Sequence, residues 1–69
     1  MFKYISINAK GDRIEQEFLT LVQAMLEAYN DYYYYNSRPK TIIDPNGAYH
    51  NLCRMKAYWS DYYSENYLM

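Results

Sequence analysis

The sequence has few of the residues that build disulfide-linked or metal-bound scaffolds. Its 69 residues include one cysteine and one histidine. A single cysteine excludes an internal disulfide framework, and a zinc ion would lack at least two of its usual four ligands. We therefore expect no disulfide, no metal ion and no cofactor.

A dominant charge and long apolar runs are missing as well. Seven Lys and Arg residues stand against eight Asp and Glu residues, so a net charge of −1 provides no field that attracts nucleic acid or an anionic membrane. No apolar run approaches the ~20 residues of a membrane span, and the first residues lack the pattern of a secretory signal. We expect one cytoplasmic domain over residues 1–69.

Tyrosine is the residue that the sequence has in excess. The chain contains 11 tyrosines, against 2 phenylalanines and 1 tryptophan. A chain of this length buries only about 60% of its unfolded surface, so several phenol rings must face water. Exposed tyrosines are typical of binding surfaces, because they offer a large contact area and lose little side-chain entropy.

The stretch from Asp12 to Asn36 predicts one long amphipathic helix. Its apolar residues recur at intervals of four and three, at Ile14, Phe18, Leu21, Met25, Ala28, Tyr32 and Tyr35. Asp12 and Glu15 have the spacing of a capping box at a helix N-terminus. Pro39 disfavours helical geometry at Arg38, so the helix should end before that residue.

A second stripe predicts a second helix, through Ala48, Leu52, Met55, Trp59 and Tyr62. This helix starts either at Asp44, with Pro45 in the first helical position, or near Ala48 after a Pro-Asn-Gly turn. The short runs 1–9 and 41–43 predict two strands, and no internal repeat is visible. The predicted fold is a small α+β domain in the order β-α-β-α, with two parallel short strands and two long helices packed as an antiparallel pair. The alternative is an all-α helical hairpin.

Candidate chemistry is weak in this sequence. His50 and Cys53 are three residues apart, the minimum for an activated thiolate, but spacing identifies no third partner. The carboxylates of Asp12, Glu15 and Glu17 are explained by the predicted helix N-terminus, where the helix dipole favours acids. We therefore expect a protein that is not an enzyme.

The candidate partner-binding residues are tyrosines off the apolar stripes and four cations near them: Tyr33, Tyr34, Tyr58, Tyr67, Arg38, Lys40, Arg54 and Lys56. One interpretation is a protein-binding module in which the cations form a polar rim. The alternative is a single-stranded nucleic-acid binder, with rings stacked on unpaired bases and cations on phosphates. Four cations are few for tracking phosphates, which favours the protein partner.

Two further expectations concern assembly and role. The predicted first helix, of about 24 residues, has a wider apolar face than one partner helix covers, which predicts a homodimer. A short chain of this composition resembles, as a class and not through particular residues, the accessory proteins with which bacteriophages block a host enzyme or defence complex. The expected function is therefore a small inhibitor that acts by docking.

Overall fold

The protein forms one four-stranded sheet with two helices over the part of the chain described here. The computed structural model describes the backbone of residues 1–67 and the side chains of residues 1–64. The elements in chain order are β1 (Phe2–Ile7), β2 (Arg13–Phe18), α1 (Leu21–Tyr33), β3 (Arg38–Ile43), β4 (Tyr49–Asn51) and α2 (Leu52–Tyr67). The sheet order is β2-β1-β3-β4, and each neighbouring pair is antiparallel. The predicted α+β class is confirmed, whereas the all-α hairpin is wrong.

The prediction of one helix starting at Asp12 is wrong for its first third. Residues Arg13–Phe18 are strand β2, and α1 begins only at Leu21. The true cap is Thr20, whose hydroxyl accepts a hydrogen bond from the Gln23 N–H at 3.2 Å. The capping box predicted at Asp12 and the continuous helical stripe are therefore wrong.

The error has a physical cause in β2. Ile14 and Phe18 fit the spacing of a helix, but they also fit the period of two of a strand. Within β2, Ile14, Gln16 and Phe18 alternate with Arg13, Glu15 and Glu17. Gly11, at φ +90°, turns the chain back just before this segment, and the resulting hairpin pairs it with β1.

The second helix also starts later than predicted. It begins at Leu52, and its cap is Asn51, whose Oδ1 accepts a hydrogen bond from the Arg54 N–H at 2.9 Å. Asp44 caps a hairpin turn instead of a helix, and β4 follows that turn. The Pro-Asn-Gly turn is thus confirmed, while both predicted helix starts are wrong.

Both predicted strands exist, but the sheet has more strands than predicted, and these two run antiparallel instead of parallel. Residues 1–9 contain β1, and residues 41–43 form the end of β3, which already starts at Arg38 in a segment predicted as a loop. Tyr4 of β1 lies opposite Ile42 of β3 in an antiparallel pair. The missed strand β2 explains the direction, because β2 and β3 both run antiparallel to β1, and α1 connects them.

The chain folds as two consecutive ββα units, which we call the first unit (β1, β2, α1) and the second unit (β3, β4, α2). The hairpin pair Ile7 and Arg13 recurs as Ile43 and Tyr49, 36 residues later (7 to 43, 13 to 49). Each hairpin therefore has the same register and the same five-residue turn. The structure repeats where the sequence shows no repeat.

The two units are related by a quasi-twofold axis in the middle of the sheet. Ile5 pairs with Thr41, which is its own equivalent 36 residues later (5 to 41). A bulge breaks the symmetry beside this pair, because Ser6 lies opposite Pro39 instead of Lys40. Proline donates no backbone hydrogen bond, and Pro39 lies in the half of β3 that β4 does not reach.

The two hairpin turns have the same hydrogen bonds. The Oδ1 atom of Asn8 accepts from the backbone N–H groups two and four residues later, each at 2.9 Å. The Oδ1 atom of Asp44 does the same at the same distances. Gly11 and Gly47 occupy the fourth turn position with φ +90° and +89°, a conformation that favours glycine.

Both helices cover one face of the sheet and enclose the core. The fully buried apolar residues of this core are Tyr4, Ala24, Met25, Ala28, Ile42, Met55 and Trp59. The hydroxyl of Tyr4 donates a hydrogen bond to Asp31 Oδ2 at 2.8 Å. Burial, and then this hydrogen bond to a carboxylate, raise the pKa of Tyr4 far above its usual value, so the phenol stays neutral.

Candidate functional site

An open groove lies between the C-terminal half of α1 and the middle of α2, with a volume of about 300 Å³. We call it the aromatic groove, and its lining residues are Tyr29, Tyr32, Tyr33, Lys56, Trp59, Ser60 and Tyr63. Five of these seven side chains are aromatic. Helical spacing explains this, because the α1 residues follow i, i+3, i+4 and the α2 residues i, i+3, i+4, i+7.

Trp59 forms the fixed wall of the aromatic groove. It is only 3% exposed, and its Nε1–H donates to the Met25 carbonyl oxygen at 2.8 Å. A buried indole N–H with a hydrogen-bond partner holds its ring in one orientation. The ring centroids of Tyr29 and Tyr32 lie 5.6 and 5.7 Å from that of Trp59. Tyr29 and Tyr32 therefore line the groove beside an indole ring that is held in one orientation.

Room for Trp59 comes from small residues on α1. Ala24 and Ala28 are both fully buried in the same core cluster as the indole ring. Larger side chains at these two positions would occupy the same space, since protein cores are packed close to crystal density. The position of the groove thus depends on a large residue of α2 packing against small residues of α1.

Rings from both helices contact each other across the groove. The centroids of Tyr29 in α1 and Tyr63 in α2 lie 4.5 Å apart. Within α1, the centroids of Tyr29 and Tyr33 lie 4.7 Å apart. Distances of this size, with tilted ring planes, are typical of favourable aromatic pairs. The two helices are thus connected by aromatic contacts next to the opening.

Lys56 is the only cation among the described residues that line the groove. Its ammonium group lies 5.0 Å from the centroid of the Tyr32 ring, within the range of a cation–π contact. Tyr32 raises the pKa of Lys56, chiefly by hydrogen bonding, so the ammonium stays charged at neutral pH. The groove therefore presents one positive charge beside its aromatic walls.

The tyrosine run extends the aromatic surface past the end of α1. Tyr33, Tyr34 and Tyr35 are 57%, 70% and 67% exposed. The helix ends at Tyr33 with Tyr34 as its C-cap, and Asn36 follows with φ +56°, a left-handed conformation that asparagine tolerates better than most residues. The N–H of Tyr34 and that of Tyr35 both point back to the Asn30 carbonyl oxygen. This turn holds three phenol rings at the surface.

The structure brings only part of the predicted site together. Tyr33 and Lys56 line the groove, and Tyr34 lies beside it, with its ring centroid 6.3 Å from that of Tyr29. Tyr58 does not line the groove and stacks on Tyr62 at 6.1 Å. The side chain of Tyr67 lies outside the described residues.

The other predicted cations lie away from the groove. Arg38 and Lys40 are exposed residues of β3, and Arg38 lines a different cavity. Arg54 is near the start of α2, with Nη1 3.5 Å from the Tyr49 carbonyl oxygen. None of these three cations lines the aromatic groove. Of the four cations predicted to form a rim, only Lys56 therefore lines the aromatic groove, and a partner-binding role for the other three stays a prediction.

Sequence reasoning missed the groove walls formed by Tyr29, Trp59, Ser60 and Tyr63. Tyr32 and Trp59 had been assigned to the apolar stripes, and both do pack against the core. The available signal was the i, i+3, i+4 aromatic set of α1 together with the i, i+4 aromatic pair Trp59 and Tyr63 of α2. Their meeting point depends on the helix start sites, which the sequence analysis placed wrongly.

The structure places His50 in β4 and Cys53 at the start of α2, and the absence of enzymatic activity stays a prediction. His50 Nε2 lies 3.7 Å from Asp44 Oδ2, across the second hairpin turn, while Cys53 is exposed as a free thiol. Within the described side chains, no group of three His, Cys, Asp or Glu residues could hold a metal ion. None of the described helices is long and apolar enough to cross a membrane.

The fold and the groove together define a small α+β protein with two ββα units and one aromatic groove between its helices. Comparison of the chain with protein-family models, with curated proteins and with solved structures finds no match.

Proposed function

We propose that the protein is a non-enzymatic cytoplasmic module that docks on a larger protein through the aromatic groove and the exposed rings of Tyr33, Tyr34 and Tyr35. The observation that carries the proposal is the open groove of about 300 Å³ with five aromatic walls. Grooves of this kind receive a large apolar side chain of a partner, and clusters of tyrosine and tryptophan dominate binding energy at interfaces.

The rigidity of the groove supports docking. Trp59 is held by its hydrogen bond to the Met25 carbonyl oxygen, and the rings of Tyr29 and Tyr32 pack beside it. A surface that is already ordered loses little conformational entropy on binding. The free thiol of Cys53 suits a reducing compartment, which agrees with the cytoplasmic part of the proposal.

The charge distribution favours a protein partner over nucleic acid. Of the described residues that line the groove, Lys56 alone is a cation, and Arg38, Lys40 and Arg54 lie elsewhere. Binding of single strands needs a positively charged path that follows the backbone beside the stacking rings. One ammonium does not supply such a path, whereas it suits a carboxylate at the rim of a protein interface.

The test is capture of partners from a cytosolic lysate with three tagged baits, each run with and without nuclease. The baits are the wild type, Ser60→Arg and Ala57→Arg. Ser60 lines the groove and Ala57 does not, but both are exposed positions on α2, so each variant adds one positive charge. We expect the wild type and Ala57→Arg to retain the same nuclease-resistant protein, and Ser60→Arg to lose it.

Two outcomes contradict the proposal. Equal capture by Ser60→Arg would show that the groove is not the docking surface. Loss of all captured material after nuclease, with steep salt sensitivity, would instead favour the single-stranded nucleic-acid alternative.

Two finer predictions accompany the proposal. The homodimer was inferred from a helix of about 24 residues, but α1 has 13 residues, so that argument no longer applies and the homodimer stays a prediction that light scattering tests. Inhibition of a host enzyme or defence complex, as by bacteriophage accessory proteins, also stays a prediction. Its test is the activity of the captured partner with and without the protein.

A further inference from the structure

A second cavity, of about 210 Å³, lies at the turn of the first hairpin. Its lining residues are Ile7, Asn8, Ala9, Gly11, Asn36 and Arg38. No residue lines both this cavity and the aromatic groove. It is therefore a separate feature that the proposed docking function does not use.

Hydrogen-bond donors line the cavity, and none of the described residues that line it is an aspartate or a glutamate. Arg38 takes part in none of the ion pairs formed by the described side chains. An unpaired guanidinium presents five N–H donors in a planar fork that matches a carboxylate or a phosphate.

Asn8 adds further donors, because its acceptor is already used. Its Oδ1 accepts the N–H groups of Lys10 and Asp12, each at 2.9 Å. The free end of its carboxamide is therefore the NH₂ group, which only donates. In the equivalent second turn Asp44 has a carboxylate oxygen at this position, which lies 3.7 Å from His50 Nε2.

The same turn thus has opposite polarity in the two units: a donor beside an arginine in the first, and an acceptor beside a histidine in the second. We propose that the first turn is a binding site for a small oxyanion, a carboxylate or a phosphate group, held by Arg38 and the Asn8 amide. Charge-assisted hydrogen bonds of this type are stronger than neutral ones and favour two-point contact with an oxyanion.

The test is a titration of the full-length protein, followed by amide NMR shifts. Inorganic phosphate and acetate are the two probes, and chloride keeps the ionic strength constant. We expect saturable shifts at residues 8–12 and at Arg38, in the millimolar range, with at least one of the two probes. Saturation by one probe alone identifies whether the site takes the tetrahedral or the planar anion.

The internal repeat supplies matched variants. Asn8→Asp should keep the turn, because Asp44 forms the same hydrogen bonds, yet it replaces the donor with a negative acceptor. We expect it to abolish saturable binding. Arg38→Gln should weaken binding about tenfold or more, since hydrogen bonds to charged groups are among the strongest.

Two controls keep the inference open to refutation. Asp44→Asn changes the other turn, and Arg13→Gln removes a charge from the strand beyond Ile7, opposite β3. Both should leave the affinity unchanged. Shifts that rise linearly with both probes, or an equal loss of affinity in Arg13→Gln and Arg38→Gln, would overturn the proposal.

Discussion

In the first unit β2 has six residues and two more precede α1, whereas in the second unit β4 has three residues and α2 follows at once. The helix caps Thr20 and Asn51 are 31 residues apart (20 to 51), while the turn glycines Gly11 and Gly47 are 36 apart (11 to 47). The hairpins are therefore the repeated part of the backbone. Counted from the turn glycine of its own hairpin, α2 starts five residues earlier than α1 does (36 − 31). The hairpin turns thus define the repeat, while the residue at which each helix starts differs between the two units.

The inner faces of the two helices are complementary instead of alike. Ala24 and Ala28 lie four and eight residues after the cap of α1, and Met55 and Trp59 lie four and eight residues after the cap of α2. All four are buried. If both helices had alanines at these positions, the core would contain a cavity, and if both had methionine and tryptophan, the core would be overfilled. The difference in side-chain size fills the space between the helices and forms the wall of the groove.

The largest expected effect comes from truncating Trp59, the large residue that α2 contributes to the core between the helices. Trp59→Ala deletes a ring that is 3% exposed and its hydrogen bond to the Met25 carbonyl oxygen. We expect a loss of about 3–5 kcal/mol in the free energy of unfolding. Urea unfolding followed by circular dichroism measures it, because the variant has no tryptophan. A loss below about 1 kcal/mol would be typical of a surface position and would contradict this packing.

Replacing a small residue of α1 with a larger one should have a moderate effect on stability. Ala28→Leu adds three carbons at a fully buried position that packs in the same cluster as Trp59. Overpacking should cost about 1–3 kcal/mol of stability. The same urea experiment measures the cost. An unchanged midpoint would mean that the core has room beside Ala28, and that the helices are not complementary there.

The two turn glycines sharpen the comparison of the backbones. Gly11→Ala and Gly47→Ala each place a Cβ at φ near +90°, and no atom beyond the two neighbouring residues of the chain lies within 4 Å of either Cβ. The cost is then backbone strain alone, about 1–2 kcal/mol for each variant. Thermal unfolding should give nearly equal losses. A loss in only one variant would show that the turns are not equivalent.

The smallest expected effect concerns the charge of the second turn. The backbone N–H of Ala48, and then that of Asn46, lower the pKa of Asp44 below its usual value. A lowered folded-state pKa adds stability above the unfolded pKa of about 3.9, and this stability is lost as the pH falls through the folded pKa. Asp44→Asn should therefore melt below the wild type at neutral pH, with a gap that closes in acid. A gap that is constant with pH would contradict this. Asn8 is neutral, so Asn8→Gln should show no such pH dependence.

Part of the fold was predictable because its signals are local. The β-branched run of β1 predicted a strand, and the stripe through Leu52, Met55 and Trp59 predicted the buried face of α2. Exposure of Tyr33 and Tyr34 also followed from their positions off the stripe. Each of these inferences used the period of a single element.

The rest depended on contacts between elements. The segment Arg13–Phe18 satisfies the helical and the strand period, and only pairing with β1 decides between them. Around the turns the repeat shares only three positions: Ile7 recurs as Ile43, Asn8 as Asp44 and Gly11 as Gly47. Predicting the groove requires knowing where both helices start, so its lining residues could not be predicted from either helix alone.

The most direct test of the docking surface is the dissociation constant of the captured partner for two tyrosine variants, measured by titration calorimetry. Tyr33 lines the groove, whereas Tyr49 lies on β4, and the two are 57% and 64% exposed. Tyr33→Ala removes the ring contact with Tyr29 and should cost about 0.5–1.5 kcal/mol of stability, whereas Tyr49→Ala should cost less than about 0.5 kcal/mol. We predict that Tyr33→Ala weakens binding about tenfold or more and that Tyr49→Ala leaves it unchanged. Equal affinities for wild type and Tyr33→Ala, or a larger loss in Tyr49→Ala, would contradict the assignment of the groove as the docking surface.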